Sequence, residues 1–112
     1  MIDQVRPADL AAWFAQPGEA APVLLDVREP SERQTASVSA EGFTQLAIPM
    51  HEIPARLGEL DPQARIACLC HHGARSQQVA LFLQHHGFEQ LANVAGGIDA
   101  WSLTLDPQVP RY

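Results

Sequence analysis

The chain of 112 residues is 46% hydrophobic and 18% charged, a composition typical of one globular domain with a single core. Its formal net charge is -6, and its seven Lys and Arg residues cannot form a continuous basic surface, so we predict no binding to nucleic acid or to an anionic membrane. No apolar run approaches the roughly 20 residues that span a bilayer, and the N-terminal sequence lacks the pattern of a signal peptide, so we expect a cytoplasmic protein with one domain over residues 1–112.

The first half of the sequence alternates between short apolar runs and helical patterns. A helix is predicted to begin near Arg6 and to end by Pro17-Gly18, because its apolar side chains repeat at helical spacing. The run Val23–Val27 is continuously apolar, which is typical of a strand buried on both faces. The other predicted elements are a strand over Ile2–Val5, a polar and partly helical segment over Glu29–Ser37, and a strand over Gln45–Ile48.

The second half continues the alternation with clearer signals. Ile53, Leu57 and Leu60 have helical spacing, which predicts a helix before Asp61-Pro62. The remaining predictions are a strand over Arg65–Cys70, a helix over Ser76–His86 capped by Gly87, a strand over Gln90–Val94, a helix after Gly96-Gly97 and an extended C-terminal tail. Alternating strands and helices in one small domain predict an α/β fold, with a parallel sheet and helices on both of its faces.

Cys70 is the candidate for chemistry, because it lies where a predicted strand gives way to a loop and a helix. The other cysteine, Cys68, is too close in sequence to form a disulfide framework with it. In open parallel sheets, ligands bind beyond the carboxyl ends of the strands. A helix N-terminus stabilises negative charge there, and it can lower a cysteine pKa from about 8.5 to roughly 3.5–7.5. Arg75 adds a permanent positive charge, so Cys70 is predicted to be a nucleophile.

Four segments of the chain resemble the rhodanese family of sulfurtransferases. The loop Cys70–Ser76 reads CHHGARS, which has the family's form C-x-x-G-x-R-[ST]. The other three segments follow the order and spacing of the family, and they are LLDVREPSE (Leu24–Glu32), AIPMHEIPARL (Ala47–Leu57) and NVAGGIDAW (Asn93–Trp101). The resemblance implies a rhodanese-like α/β fold, with a central and mostly parallel sheet of about five strands and helices on both faces.

The resemblance also implies an activity. Cys70 would be catalytic, taking a sulfane sulfur from thiosulfate or from a low-molecular-weight or protein persulfide and passing it to a thiol, to cyanide or to a protein acceptor, without a cofactor. His71 and His72 stand where loops suited to thiosulfate carry Arg or Lys, so the donor is left open. The residues implied to bind substrate are His71, His72, Gly73, Ala74, Arg75 and Ser76.

Two other functions remain open at this point. Members of the family that have lost catalysis serve as binding or regulatory modules, although these usually lack the cysteine. Related phosphatases and arsenate reductases have five residues between cysteine and arginine, whereas Cys70 and Arg75 are separated by four.

Several polar residues also have structural interpretations. Asp26 and Arg28 are interpreted as a pair that ties a strand end to neighbouring loops. Ser76 fits a helix cap, and Cys68 fits a core residue, with a role as resolving thiol for an oxidised Cys70 left open. We predict no metal site, because adjacent histidines cannot easily converge with a strand cysteine on a zinc ion. The sequence does not decide the oligomeric state, for which we expect a monomer or a weak dimer.

Overall fold

The structure is a computed structural model that describes residues 2–16, 21–38 and 43–112. Pro17-Gly18, the predicted end of the first helix, lies outside the described residues. Within those ranges, no helix combines the length and the apolar character needed to cross a membrane.

In the part of the chain that the structure describes, five short strands form one sheet, and every pair of neighbours runs parallel. The strand order is β1-β5-β4-β2-β3, so β4 lies at the centre between β5 and β2. This confirms the predicted α/β fold with a five-stranded parallel sheet. The strands are β1 (Asp3–Val5), β2 (Val23–Asp26), β3 (Thr44–Ala47), β4 (Ile66–Leu69) and β5 (Leu91–Val94).

Helices cover both faces of this sheet, because successive side chains of each strand point to opposite sides. Ala67 and Leu69 of β4 pack into one core layer, whereas Ile66 and Cys68 pack into the other. The first layer also holds apolar side chains of α1 (Leu10–Phe14) and α4 (Gly97–Thr104), and the second holds those of α3 (Ala74–His85). A short helix α2 (Pro30–Thr35) follows β2.

The helix predicted around Ile53, Leu57 and Leu60 is wrong. The chain forms two short 3-10 segments there instead, Met50–Glu52 and Leu57–Glu59, joined by turns. Pro54 lies between them, and its missing N–H and its ring prevent a continuous helix. The spacing of these apolar residues reflects their burial and not a helix, since Ile53 and Leu60 are both buried.

Helix α3 begins two residues earlier than predicted, at Ala74. Gly73 is its N-cap and has a φ of 107°, a conformation that glycine adopts without strain. This left-handed residue turns the chain from the strand end directly into the helix, so the loop after β4 is short.

The tail after α4 folds back against the helix. Val109 is buried, and its carbonyl accepts a hydrogen bond of 2.6 Å from the hydroxyl of Ser102. Arg111 Nε donates to Asp99 Oδ1 at 2.9 Å. These contacts fix the path of the last residues toward the carboxyl edge of the sheet.

Candidate active site

Cys70 follows directly after β4, at the carboxyl end of the central strand. Only 1% of its surface is exposed. The two flanking strands, β2 and β5, end at the same edge because the sheet is parallel. The loop after β4 therefore lies at the position where open α/β sheets bind ligands.

The backbone of the loop is held by the N-terminus of α4. The N–H groups of Ile98 and Asp99 donate to the carbonyls of Cys70 and His71 at 2.9 and 3.1 Å. The first N–H groups of a helix have no partner within the helix, so these carbonyls satisfy them. The contact is close, since Gly97 lies against the same two carbonyls.

The sulfur of Cys70 has two polar contacts within the described residues. The backbone N–H of Gly73 donates to Sγ at 3.1 Å, and Oγ of Ser76 lies 3.2 Å from Sγ. Both groups belong to the N-terminal turn of α3, whose dipole places partial positive charge there. The Gly73 N–H and this dipole suit a sulfur atom that becomes negatively charged.

Ser76 has a different role from the helix cap suggested by the sequence. Gly73 occupies the N-cap position, whereas Ser76 lies inside the first turn of α3 and is fully buried. Its hydroxyl donates to Oδ1 of Asn93 on β5 at 2.5 Å. The cap interpretation is therefore wrong, and the Ser76 side chain joins Cys70 to the neighbouring strand.

Arg75 forms a two-point ion pair with Glu32 of α2. Its Nη1 and Nη2 atoms donate to the two carboxylate oxygens at 2.7 and 2.8 Å. These hydrogen bonds lower the pKa of Glu32 to about 2. The positive charge expected beside Cys70 is thus matched by a carboxylate that sequence reasoning missed. A sequence signal for it is an acidic residue in the short helical segment that follows a predicted strand.

The predicted pair of Asp26 and Arg28 belongs to a longer polar chain at the same edge. Arg28 is fully buried, and its Nε and Nη2 donate to Asp26 at 2.9 and 2.6 Å. Its Nη1 donates to the hydroxyl of Tyr112 at 3.1 Å, and that hydroxyl donates to Glu32 at 2.8 Å. Tyr112 is the single tyrosine of the chain. The sequence did not indicate its contact with the site, because an isolated aromatic residue in a tail belongs to no periodic pattern or motif.

The two histidines of the loop stack rather than surround the sulfur. The ring of His71 lies between those of His72 and Tyr112, with centroids 3.9 Å away on each side. His72 Nε2 lies 3.9 Å from Asp99 Oδ2. Ala74, the remaining predicted loop residue, is exposed on the first turn of α3.

His71, His72 and Asp99 include a set of ligand atoms that all lie within 4.8 Å of one another, close enough to be considered as a metal site. Two features weigh against a metal ion. The imidazole rings are stacked with 27° between their planes, so their in-plane lone pairs do not approach one point from different sides, and Asp99 Oδ1 already accepts from Arg111. The absence of a metal stays a prediction.

Cys68 is separated from this chemistry. Its side chain is fully buried in the core layer beneath α3, and this burial raises the pKa of its thiol to about 12. It is therefore protonated at neutral pH, as expected of a core residue.

We expect Glu32→Gln to change how the stability depends on pH. The folded pKa of Glu32, about 2, lies below its ordinary value of 4.5, so the unfolded chain binds the proton first and the stabilisation is lost as pH falls between these values. The variant should be less stable at neutral pH and should lose less stability between about pH 5 and about pH 3, as measured from urea midpoints. Glu89→Gln, which changes an exposed carboxylate, should follow the parent protein, and identical profiles for both variants would contradict the prediction.

The sequence and the structure both match known proteins. The profile of the rhodanese-like domain matches residues 7–104. The rhodanese-like/PpiC domain-containing protein 12, chloroplastic, of Arabidopsis thaliana is 41% identical over 93 residues, which cover 80% of this chain and 30% of that relative. A protein of Allochromatium vinosum named sulfurtransferase is 31% identical over 104 residues, which cover 91% of this chain and 90% of that relative. The crystal structure of a rhodanese-related protein from Thermoplasma volcanium superimposes with a TM-score of 0.74 at 29% identity, covering 96% of this chain and 95% of the other.

Proposed function

The chain belongs to the rhodanese-like domain family, and from this premise we propose that it is a sulfurtransferase in which Cys70 carries the sulfur. In this proposal residues 1–112 act as one domain, and a sulfane sulfur passes from a donor to Cys70 and then to an acceptor. The names of its relatives support sulfur transfer in general, since one of them is a protein named sulfurtransferase.

One observation carries the assignment of Cys70. Its sulfur lies at the N-terminus of a twelve-residue helix and accepts a hydrogen bond from the first backbone N–H of the turn. A donor in this position stabilises a thiolate, and it also stabilises a persulfide anion attached to the same sulfur. The second cysteine lacks such a position, since Cys68 is enclosed in the core with its pKa at about 12.

The reaction has two half-reactions. In the first, the Cys70 thiolate attacks the outer sulfur of the donor, a new S–S bond forms, and the donor's S–S bond breaks as its electron pair leaves with the remainder of the donor. In the second, an acceptor thiolate, cyanide or a protein thiol attacks the outer sulfur, and Cys70 leaves as the thiolate. No electron carrier is needed, because the transferred sulfur atom arrives and leaves at the same oxidation level.

For the donor, we propose a low-molecular-weight or protein persulfide in preference to thiosulfate. Thiosulfate carries two negative charges and binds best beside a free permanent cation. The charge of Arg75 is matched by Glu32 at 2.7 and 2.8 Å, and His72 lies near Asp99. A persulfide with a smaller charge depends less on these groups.

The proposal is tested by loading the protein with glutathione persulfide and measuring its intact mass without reductant. We expect one added sulfur, about 32 Da, on the peptide that contains Cys70, and we expect cyanide to remove it. Parallel incubations with thiosulfate should load the protein more slowly. Phosphatase activity toward aryl phosphates is measured beside them as the alternative reaction class.

Two results would overturn the proposal. If no donor adds sulfur to Cys70, a non-catalytic binding module becomes the better assignment. If aryl phosphates are hydrolysed in a reaction that depends on Cys70, the protein belongs with the phosphatases that share this fold.

A further inference from the structure

Asn93 is a buried polar residue that the proposed sulfur transfer does not use. It lies on β5 with 4% of its surface exposed, and Leu91, Ala92 and Val94 beside it are apolar. Its amide nitrogen donates to the carbonyl of Gly73 at 3.1 Å and to the side-chain oxygen of Gln4 at 3.0 Å. Its oxygen faces Ser76.

These partners fix the orientation of the amide. The carbonyl of Gly73 can only accept a hydrogen bond, so the NH₂ group of Asn93 must face it. The Oδ1 atom then faces Ser76 Oγ at 2.5 Å and can only accept, so the Ser76 hydroxyl must donate to it. A hydroxyl has a single proton, and here that proton is directed away from Cys70.

This assignment has a consequence for the sulfur 3.2 Å from Ser76. With its proton on Asn93, Ser76 presents a lone pair to Cys70, which suits an S–H group that donates to it. A thiolate needs the opposite arrangement, in which the hydroxyl proton turns to the sulfur. That rotation leaves the buried oxygen of Asn93 without a donor, which is unfavourable.

We propose that Asn93 is a positioning residue that holds the Ser76 proton away from Cys70, so that Cys70 rests as a thiol and ionises only when the hydroxyl turns toward it. The proposal rests on the proposed function in one respect, that Cys70 is the reacting thiol. It gives the protein a nucleophile that is protected in the resting state and activated by a single rotation.

The other titratable and charged groups around Cys70 are the same in each variant compared below. They therefore contribute equally to the parent and variant values, and the difference reports the change at Asn93 or Ser76. By element they are Cys68 on β4, Asp26 and Arg28 at the end of β2, Glu32 on α2, Arg75 on α3, His71 and His72 in the loop, Asp99 on α4 and Tyr112 in the tail.

The test measures the rate at which iodoacetamide alkylates Cys70 as a function of pH. The thiolate displaces iodide and forms a thioether, so the rate reports the ionised fraction, and peptide mass spectrometry separates Cys70 from Cys68. We expect Asn93→Ala to speed the alkylation of Cys70 about tenfold at neutral pH, because the Ser76 proton becomes free to bind the thiolate.

A double-mutant cycle separates this role from loop support. In a Ser76→Ala protein the hydroxyl is gone, so adding Asn93→Ala should change the alkylation rate by less than about twofold. Gln4→Ala is the matched control, since it removes a partner of the Asn93 amide nitrogen and leaves the Asn93–Ser76 contact in place. It should leave the pH profile unchanged.

The proposal is overturned if Asn93→Ala leaves the alkylation rate of Cys70 unchanged or lowers it, or if it has the same effect with and without the Ser76 hydroxyl. If Asn93→Ala fails to give a native circular dichroism spectrum, Asn93→Leu keeps the side-chain volume and has the same expected direction. Alkylation requires no sulfur donor, so a protein that fails to accept sulfur but shows the expected cycle refutes the proposed function and supports this inference.

Discussion

Cys70→Ser is expected to abolish sulfur transfer, with a loss of at least about a thousandfold in the rate of the first half-reaction. A serine hydroxyl stays protonated at neutral pH and cannot form a persulfide, so neither half-reaction can take place. The measurement is the rate of persulfide consumption, with cyanide as the acceptor. The fold should survive, because serine is close in size to cysteine and Ser76 Oγ lies within hydrogen-bonding reach of the site.

The control is Cys68→Ser. Cys68 is enclosed in the core and its pKa of about 12 keeps it protonated, so this variant should retain most of the activity while losing some stability from a buried hydroxyl. A Cys70→Ser protein with parent-like turnover would show that the sulfur is carried elsewhere. If activity depended on both cysteines, Cys68 would have to be assigned the role of a resolving thiol.

Gly97→Ala is expected to have the second largest effect, although Gly97 does not contact the sulfur. An added Cβ would lie 2.4 Å from the carbonyl oxygen of His71 and 2.5 Å from that of Cys70. These are backbone atoms of the loop, so they cannot move without moving Cys70. A displacement of the nucleophile by about 1 Å costs roughly a hundredfold in rate, and we expect a loss of that size in sulfur transfer.

Gly87→Ala is the matched control for this prediction. Both glycines have a positive φ, 63° for Gly97 and 89° for Gly87, but a Cβ on Gly87 meets no atom within 4 Å. Both variants should lose the roughly 1–2 kcal/mol that an L-residue loses in the left-handed conformation, as measured by urea unfolding. Only Gly97→Ala should also lose activity, and equal activities in the two variants would rule out the steric argument.

The strands of this fold could be predicted because the chemistry that makes them is local. A central parallel strand is buried on both faces, so β4 reads as a continuous apolar run, and a glycine or proline marks most of the turns. The loop after β4 could be predicted equally well, since the cysteine, the glycine and the arginine follow one another within a few positions. Cys70 could thus be placed at the edge of the sheet before its contacts were known.

The contacts that complete the site could not be predicted in this way. Glu32 and Arg75 are 43 residues apart in the chain, and their pairing depends on how α2 sits against the loop. Asn93 reaches Ser76 because β5 lies beside β4, which follows from the order of the strands in the sheet. A single sequence shows the polar residue, but it does not show which partner the fold will give it.

The polar chain that passes through Tyr112 joins residues that are far apart in the order of synthesis. The hydroxyl of Tyr112 contacts Arg28 and Glu32 across 84 and 80 positions, and β1 pairs with β5, which comes much later in the chain. Ribosomes add about 5–20 residues per second, so Cys70 is added to the chain seconds before the residues of α4 and Tyr112 that enclose its loop. The enclosure of the Cys70 loop thus depends on residues that are synthesised after it, so the order of synthesis differs from the order in which the site is completed.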